Sequence, residues 1–240
     1  MRIAALSDLH IGARPWMDEF RHSEGHFLRF LDRLEAEFEA IVLVGDVYQT
    51  DHCWLPGRHG RVRQFRLARR RLPALAERFQ EAPYHYIYGN HDAIADELLA
   101  APETLEIEAD GLRVFFVHGH QYDPLFRRVE TLTRAASWFT GRLRFVGLRA
   151  LAQEIEGHDI RIKHRRFHRD DGPYLSAGRR LLREQRADVV VMGHTHMPVR
   201  VEVPEGIVVN SGSCSVGQFS YVAIDTRQRS VELRGDQLPM

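Results

Sequence analysis

The sequence has few of the features that mark secreted, membrane-spanning or thiol-based metalloproteins. Its two cysteines, Cys53 and Cys214, are too few for a disulfide framework and lack C-x-x-C spacing, so we expect two reduced thiols. No stretch approaches the roughly 20 consecutive apolar residues of a membrane-spanning helix. The apolar run near the N-terminus is too short for a secretory signal. We therefore expect a cytoplasmic protein.

Net charge is also lacking, because 33 basic residues balance 33 acidic ones among 240 residues. This balance argues against a nucleic-acid partner bound through bulk positive charge, and none is expected. The charge is unevenly distributed, however: residues 121–186 contain 15 basic and 8 acidic residues, and the rest of the chain contains 18 and 25. Lysine is nearly absent: Lys163 is the only lysine in the sequence, which contains 32 arginines.

The length and the 44% hydrophobic content predict one globular domain, residues 1–240. Short apolar runs alternate with segments of helical periodicity, which predicts a layered α/β fold. The predicted strands are residues 3–6, 41–44, 84–88, 114–117, 189–192, 207–209, 221–224 and 231–233. After Met192 the connections are short, as at Pro204-Glu205-Gly206, which predicts a hairpin-like edge of a mixed sheet.

Residues 124–186 are helical in character and interrupt the strand rhythm, so we interpret them as a helical cap inserted into the domain. This segment combines many arginines with many apolar residues. Such a pattern suggests a lid that faces an anionic, partly apolar partner. The alternative is a helical pair packed on its own domain, with its arginines in solvent.

Polar motifs directly follow five of the predicted strands. Because the carboxyl ends of strands in an open α/β sheet line one crevice, we expect these motifs to converge. Their carboxylate, imidazole and amide donors suit Mn²⁺, with Fe²⁺ or Zn²⁺ as alternatives, and there are enough of them for two divalent ions. The motifs are Ser7-Asp8-Leu9-His10, Gly45-Asp46, Gly89-Asn90-His91-Asp92, His118-Gly119-His120 and Gly193-His194-Thr195-His196.

Taken in this order, the five motifs resemble the signature of the calcineurin-like metallophosphoesterases, over roughly residues 1–225. The resemblance implies an α-β-β-α sandwich of mixed sheets and a metal-dependent phosphoester or pyrophosphate hydrolase. It implies seven metal ligands in two groups that share one carboxylate: Asp8, His10 and His196 hold one ion, Asn90, His118 and His194 hold the other, and Asp46 bridges both.

The resemblance also implies that His91 is catalytic without binding metal. Water between two cations about 3.5–4 Å apart loses its proton near neutral pH and can attack phosphorus in line. His91 would stabilise the growing charge or protonate the leaving oxygen. Asp92 is expected behind the ligands, and for His120 a place behind the ligands and a place at the surface remain equally open.

The cap after the fourth motif resembles a subgroup that hydrolyses UDP-2,3-diacylglucosamine at its pyrophosphate, in lipid A biosynthesis. That likeness implies a lipid-linked nucleotide substrate and a peripheral position on the inner face of the membrane. Asp123, Arg127 and Arg128 are the candidates for substrate contact.

His91 stands where that subgroup typically has arginine, and generic phosphodiesterases of the family have histidine there. A phosphodiesterase or phosphatase acting on soluble nucleotides or other phosphoesters therefore remains the alternative. A non-catalytic scaffold is a remote third, since no ligand is missing. The histidines outside the motifs are predicted to lie at the surface or in helices: His22, His26, His52, His59, His85, His158, His164 and His168.

Overall fold

The computed structural model describes the backbone of residues 1–167 and 172–237. Within these ranges it describes the side chains of all residues except 125, 127, 129–132, 159–160, 162–167 and 236–237. His164 and His168 were predicted to lie at the surface or in helices, and their side chains are outside the described part of the structure. Among the described residues, no helix is both long enough and apolar enough to cross a membrane.

The described chain forms ten strands and seven helices. The strands are β1 (Arg2–Leu6), β2 (Ala40–Val44), β3 (Tyr84–Ile87), β4 (Thr104–Ala109), β5 (Leu112–Val117), β6 (Val189–Met192), β7 (Val199–Val203), β8 (Gly206–Asn210), β9 (Gln218–Asp225) and β10 (Ser230–Gln237). The helices are α1 (Glu24–Glu37), α2 (Arg58–Arg71), α3 (Pro73–Arg78), α4 (Ile94–Leu99), α5 (Pro124–Phe145), α6 (Arg149–Phe167) and α7 (Pro173–Glu184).

The strands form two five-stranded mixed sheets. The first has the order β10-β9-β1-β2-β3, with β1, β2 and β3 parallel and β9 antiparallel to β1. The second has the order β4-β5-β6-β8-β7, with β5, β6 and β8 parallel. The short connections after Met192 predicted one hairpin-like edge of a mixed sheet. The structure has two hairpins there, β9–β10 at an edge of the first sheet and β7–β8 at an edge of the second.

Three apolar layers hold the sheets and helices together. Side chains such as Val42 and Phe116 fill the space between the two sheets. On the outer side of the first sheet, α1 buries Phe27, Leu31 and Leu34, which recur at helical spacing. On the outer side of the second sheet, α7 packs against the apolar residues of β6 and β8. The predicted layered α/β sandwich of mixed sheets is thereby confirmed.

Two strands, β4 and β7, were not expected from the apolar runs. Both lie at edges of the second sheet. Their residues alternate between half-buried and exposed positions, as in the sequences TLEIEA and VRVEV. Because an edge strand with one solvated face needs apolar residues only at every second position, it gives no continuous apolar run.

The helical segment 124–186 divides into two parts. Helices α5 and α6 form a hairpin joined by a turn at residues 146–148, which we call the cap hairpin. Helix α7 instead packs on the second sheet, where its buried side chains include Tyr174 and Leu181. The cap hairpin is therefore the part of the segment that stands over the strand ends.

Candidate active site

The loops after β1, β2, β3, β5 and β6 meet at one end of the two sheets. The amide of Asp8 donates to the carbonyl of Gly45 at 3.2 Å, and that of His10 donates to the carbonyl of Asp46 at 3.0 Å. The candidate ligands Asp8, His10, Asp46, His194 and His196 have φ between 51° and 70°. This left-handed region is unfavourable for residues other than glycine and is enriched at functional sites.

A first group of possible metal ligands consists of Asp8, His10 and His196. The Nε2 atoms of the two histidines are 3.1 Å apart. Asp8 Oδ1 lies 3.3 Å from His196 Nε2 and 3.7 Å from His10 Nε2. The three donor atoms therefore converge on one point, as a bound cation requires.

A second group consists of Asp46, His118 and His194, and Asp46 also belongs to a third group with His10 and His91. Asp46 Oδ2 lies 3.1 Å from His118 Nε2. The Asp46 carboxylate is thus shared between neighbouring groups, as a bridging ligand would be.

Among the candidate ligands, two side-chain oxygens are buried without a hydrogen-bond partner in the described part of the structure: Asp8 Oδ1 and Asn90 Oδ1. A buried polar atom without a partner costs about 1–3 kcal/mol, so native proteins seldom keep one without a water or an ion beside it. The donors here are carboxylate, amide and imidazole without thiolate, which fits a pair of divalent cations.

The charges of the site also favour cations. Burial alone would raise the pKa of Asp8, but His196 and His10 outweigh it and hold that pKa well below its usual range. Burial would lower the pKa of His118, yet the Asp46 carboxylate beside it raises the pKa to about 9. Burial likewise opposes ionisation of Asp46, whose pKa is held low by His118 and His91. Both carboxylates are therefore ionised at neutral pH.

Asp92 lies behind Asp46 and fixes the loop that carries it. Its carboxylate accepts hydrogen bonds from the amides of Val47 and Gly89 at 2.7 Å each, and from the hydroxyl of Tyr86 at 2.5 Å. It also accepts a bond from the amide of Asp46 at 3.2 Å. Burial, and then the neighbouring Asp46 carboxylate, raise the pKa of Asp92.

Two glycines allow the close approach of these loops. A Cβ atom at Gly89 would overlap the Asp46 carboxylate, and one at Gly45 would overlap the His118 ring. Gly45 also has a φ of 82°, which glycine adopts without strain. Glycine at these two positions is therefore required by the packing of the site.

His91 and His120 occupy different surroundings. The His91 amide donates to Asp46 Oδ1 at 2.8 Å, and its Nδ1 lies 3.3 Å from Asp51 Oδ2. His120 is 6% exposed and packs against the ring of Phe126. Burial, followed by the charge of His118, lowers the pKa of His120 to about 2. His120 is therefore a neutral, buried side chain beside the ligands and does not lie at the surface.

A cavity of about 340 Å³ separates the strand ends from the cap hairpin. From the sheets it is lined by His10, Asn90, His91, His194 and His196, and from the cap hairpin by Phe126, Thr133, Arg134, Ser137, Thr140, Ile155, Glu156 and His158. Asp123 also lines this cavity, whereas Arg128 lies in a separate surface depression beside Tyr122 and Arg180. The side chain of Arg127 lies outside the described part of the structure.

A buried ion-pair network connects the cap hairpin to the loops of the sheets, and the sequence did not predict it. Arg144 of α5 lies 3.0 Å from Glu19 and also contacts Glu156 of α6. Glu156 Oε1 is 3.5 Å from Nε2 of His52, whose Nδ1 is 2.8 Å from the carbonyl of Met17. The prediction that His52 lies at the surface or in a helix was wrong, since it is 2% exposed in a loop. Its partners come from separate segments, so no local motif could have revealed it.

Comparisons with known proteins identify the family of this chain. The family model described as the calcineurin-like phosphoesterase superfamily domain matches residues 1–229. The chain is 26% identical over 214 residues to the UDP-2,3-diacylglucosamine hydrolases of Bordetella parapertussis and Bordetella bronchiseptica, covering 81% of this chain and 76% of each relative. The Bordetella pertussis protein of the same name is 27% identical over 211 residues, with the same coverage.

Among solved structures, a phosphoesterase from E. coli is similar at 19% identity and a TM-score of 0.46, covering 98% of both chains. Vps29 of Chaetomium thermophilum is similar at 12% identity and a TM-score of 0.49, covering 98% of this chain and 97% of its own. With the family model matching nearly its whole length, the chain belongs to the calcineurin-like phosphoesterase superfamily, as a metal-dependent phosphoester hydrolase.

Proposed function

We propose that this protein is a dinuclear metal-dependent phosphoesterase that hydrolyses the pyrophosphate of UDP-2,3-diacylglucosamine, or of a closely similar lipid-linked nucleotide, in lipid A biosynthesis. One observation carries the proposal: overlapping groups of candidate ligands, two of which include Asp46, lie under a helical hairpin, across a cavity. The names of the Bordetella relatives support the choice of substrate.

In this proposal Asp8, His10 and His196 would hold one ion, Asn90, His118 and His194 would hold the other, and Asp46 would serve both. We propose Mn²⁺, with Fe²⁺ and Zn²⁺ as alternatives, because carboxylate, amide and imidazole donors suit all three. When bound, such ions favour ionisation of an attacking water and offset the charge on the phosphoryl oxygens.

The chain's own contribution to the reaction centres on His91. Its imidazole lines the cavity, and its Nδ1 lies beside the Asp51 carboxylate. A carboxylate at one ring nitrogen orients the imidazole and leaves Nε2 to face the substrate. His91 thereby stabilises the charge that grows on the phosphoryl group, or delivers a proton to the leaving oxygen. Asp92 keeps the Asp46 loop in place through its amide hydrogen bonds.

The cap hairpin gives the lipid portion a path out of the cavity. A cavity of about 340 Å³ is at the lower end of the range for ligand pockets and suits the sugar-phosphate portion of the substrate. Ile155 lines the cavity, and the exposed side chains of Leu151 and Leu148 follow at one and two turns toward the hairpin tip. The acyl chains would lie along this apolar strip.

A basic and apolar face beside the hairpin tip supports peripheral contact with the inner membrane surface. Helix α2 has seven arginines and no acidic residue, and Arg63, Arg66 and Arg70 form an exposed stripe on it. Arg63 of this stripe lines a surface depression together with the exposed side chains of Trp54, Leu55 and Leu67 and with Phe145 at the end of α5. Val146 and Leu148, in the turn that follows α5, are exposed as well. Arginine with exposed tryptophan and aliphatic side chains is typical of surfaces that bind anionic lipid.

The substrate assignment is tested by incubating the purified protein with Mn²⁺ and UDP-2,3-diacylglucosamine and analysing the products. We expect UMP and the lipid monophosphate. The variant Leu151→Ser should raise KM for this substrate and leave hydrolysis of bis-p-nitrophenyl phosphate unchanged, since only the lipid reaches the apolar strip. Hydrolysis of the simple diester without UMP release would reject the lipid substrate and retain the phosphoesterase.

A second candidate is a phosphodiesterase or phosphatase acting on soluble nucleotides or other phosphoesters. The polar side chains of Thr133, Arg134, Ser137 and Thr140 on the cavity wall favour it, because they can bind a hydrophilic substrate. This activity would depend on neither detergent nor lipid. Rapid turnover of cyclic nucleotides in lipid-free buffer would support it.

Membrane contact is tested by sedimentation with vesicles of phosphatidylglycerol or of phosphatidylcholine alone. We expect binding to the anionic vesicles that weakens with salt and is lost when Arg63, Arg66 and Arg70 are replaced by glutamine. The matched control replaces the same number of exposed arginines at strands and turns, Arg200, Arg227 and Arg229. Equal loss in both triple variants would reject a docking face on α2.

A further inference from the structure

Asp123 lies at the junction between the candidate metal site and the cap hairpin. A 3₁₀ turn of residues His120–Tyr122 follows β5, Asp123 comes next, and α5 begins at Pro124. The Asp123 side chain is almost fully buried, at 3% exposure. It is therefore in a position to contact both the strand-end loops and the first turn of the cap hairpin.

The two carboxylate oxygens of Asp123 have different partners. Oδ2 lies 3.1 Å from Nε2 of His194, and both side chains are buried. Oδ1 accepts a hydrogen bond from the amide of Phe126 at 3.4 Å, in the first turn of α5. The extended backbone of Asp123, with φ −69° and ψ 115°, and the proline that follows it are typical of a helix N-cap.

The contact with His194 bears on metal binding. Because Nε2 faces Asp123, Nδ1 is the ring nitrogen left to join Asp46 and His118 in the second ligand group. A carboxylate at the far nitrogen of a ligating histidine fixes its tautomer and ring orientation and strengthens it as a ligand. The His194 amide also donates to Asp8 Oδ2 at 3.0 Å, so the backbone is held as well.

We infer that Asp123 is a positioning residue that couples occupancy of the metal site to the seating of the cap hairpin. One carboxylate oxygen holds His194 in its ligating orientation, and the other closes the first turn of α5. The inference rests on the proposed dinuclear site. By linkage, metal binding orders the start of α5, and an ordered start of α5 raises the affinity for metal.

Three variants separate the two roles. Serine is as good an N-cap as aspartate but too short to reach His194, so Asp123→Ser keeps the cap and loses the histidine contact. Asp123→Asn keeps the shape of both contacts but removes the charge. The matched control is Ser23→Ala, which removes the N-cap of α1, where Ser23 accepts from the amide of His26, away from the site.

The experiment uses the full chain freed of metal. Mn²⁺ binding is measured by calorimetry, and amide hydrogen exchange of residues 125–128 is measured with and without Mn²⁺. We expect the wild type and Ser23→Ala each to bind two Mn²⁺ ions, with the same affinities in the variant as in the wild type. Asp123→Ser should bind one ion normally and the other about 10- to 100-fold more weakly. Mn²⁺ should slow amide exchange at residues 125–128 in the wild type and have no effect there in Asp123→Ser.

Two results would overturn the coupling alone: both aspartate variants binding two ions within about twofold of the wild type, or exchange in the wild type that ignores Mn²⁺. Asp123→Asn provides the binding test if Asp123→Ser does not fold. A wild-type protein that binds fewer than two Mn²⁺ ions would overturn the proposed dinuclear site, and the coupling with it.

Discussion

Asp46 is the side chain on which the candidate site depends most, because its carboxylate belongs both to the group with His118 and His194 and to the group with His10 and His91. We predict that Asp46→Ala loses at least one bound Mn²⁺ ion. The variant also loses several kcal/mol of transition-state stabilisation, so its rate of hydrolysis of bis-p-nitrophenyl phosphate should fall by on the order of 10²–10³-fold. Metal analysis and initial rates test this. Asp32→Ala, at an exposed position on α1, is the control, and near-normal turnover of Asp46→Ala would reject the two-metal scheme.

His91 gives a prediction with a different signature. If it acts on the substrate without binding metal, His91→Ala keeps both ions and a nearly unchanged KM. The loss of a general acid or charge-stabilising group lowers kcat by about 10²–10⁴-fold. Metal content and kcat should be measured on the same sample. Loss of an ion would instead mean that His91 is a ligand, as its proximity to His10 and Asp46 allows.

The residues that sequence reasoning found and missed differ in where their partners lie. Asp8, Asp46 and His194 each follow an apolar run, so the rule that strand ends share a crevice brings them together. Asp51 and His52 lie in a loop without a motif. Their contacts with His91 and Glu156 depend on how the cap hairpin and the loops pack, which local patterns do not encode.

At the scale of elements, the cap hairpin is held to the sheets by Arg144. This guanidinium is 2% exposed and contacts Glu19 and Glu156. Removing one partner of a buried ion pair leaves uncompensated charge, so we predict that Arg144→Met lowers the free energy of unfolding by about 3–5 kcal/mol. Urea denaturation, with limited proteolysis at residues 146–148, tests this.

The control for that prediction is Arg161→Met, in the same hairpin. Arg161 forms an exposed pair with Glu154 at 3.0 Å, and such pairs contribute about 0–1 kcal/mol. Equal destabilisation by the two variants would show that the buried ion-pair network contributes no more to stability than an exposed pair.

Glu156 makes the stability contributed by the buried ion-pair network depend on pH. Burial alone would raise the pKa of Glu156, but His52 and Arg144 outweigh burial and lower it far below its ordinary value of 4.5. A depressed pKa contributes stability above the unfolded value that is lost as the pH falls toward the folded value. The stability gap between wild type and Glu156→Gln should therefore be full at pH 7 and shrink below about pH 4.5. Denaturation at several pH values measures it, with Glu154→Gln as the exposed control. A gap that widened with acid would contradict this.

The elements themselves were predictable where their residues are buried on both faces. Strands β2 and β6 consist wholly of buried apolar residues and were found from their runs. Strands β4 and β7 alternate and were missed. The division of segment 124–186 was also not predictable, because the apolar residues of α7 and of the cap hairpin pack on different surfaces, which the spacing of residues along the chain does not encode.

For the whole molecule, bound metal should contribute to stability. A ligand that binds only the folded state adds about 4 kcal/mol when its free concentration is 1,000 times Kd. For a domain of this size that corresponds to an increase in Tm of roughly 8–16 °C. We predict that Tm rises by this amount when Mn²⁺ is added to protein freed of metal, and calorimetry measures the change. Mg²⁺ at the same ionic strength is the control for screening, and an unchanged Tm would contradict tight binding.

The two sheets contribute different members of the candidate ligand set. Asp8, Asp46 and Asn90 follow strands of the first sheet, whereas His118 and His194 follow strands of the second. The complete set can form only after both sheets have stacked in their native alignment, which brings together residues more than 100 positions apart in the chain. The capacity to take up metal is therefore a late event in folding, and during refolding it would report the joining of the two halves of the sandwich.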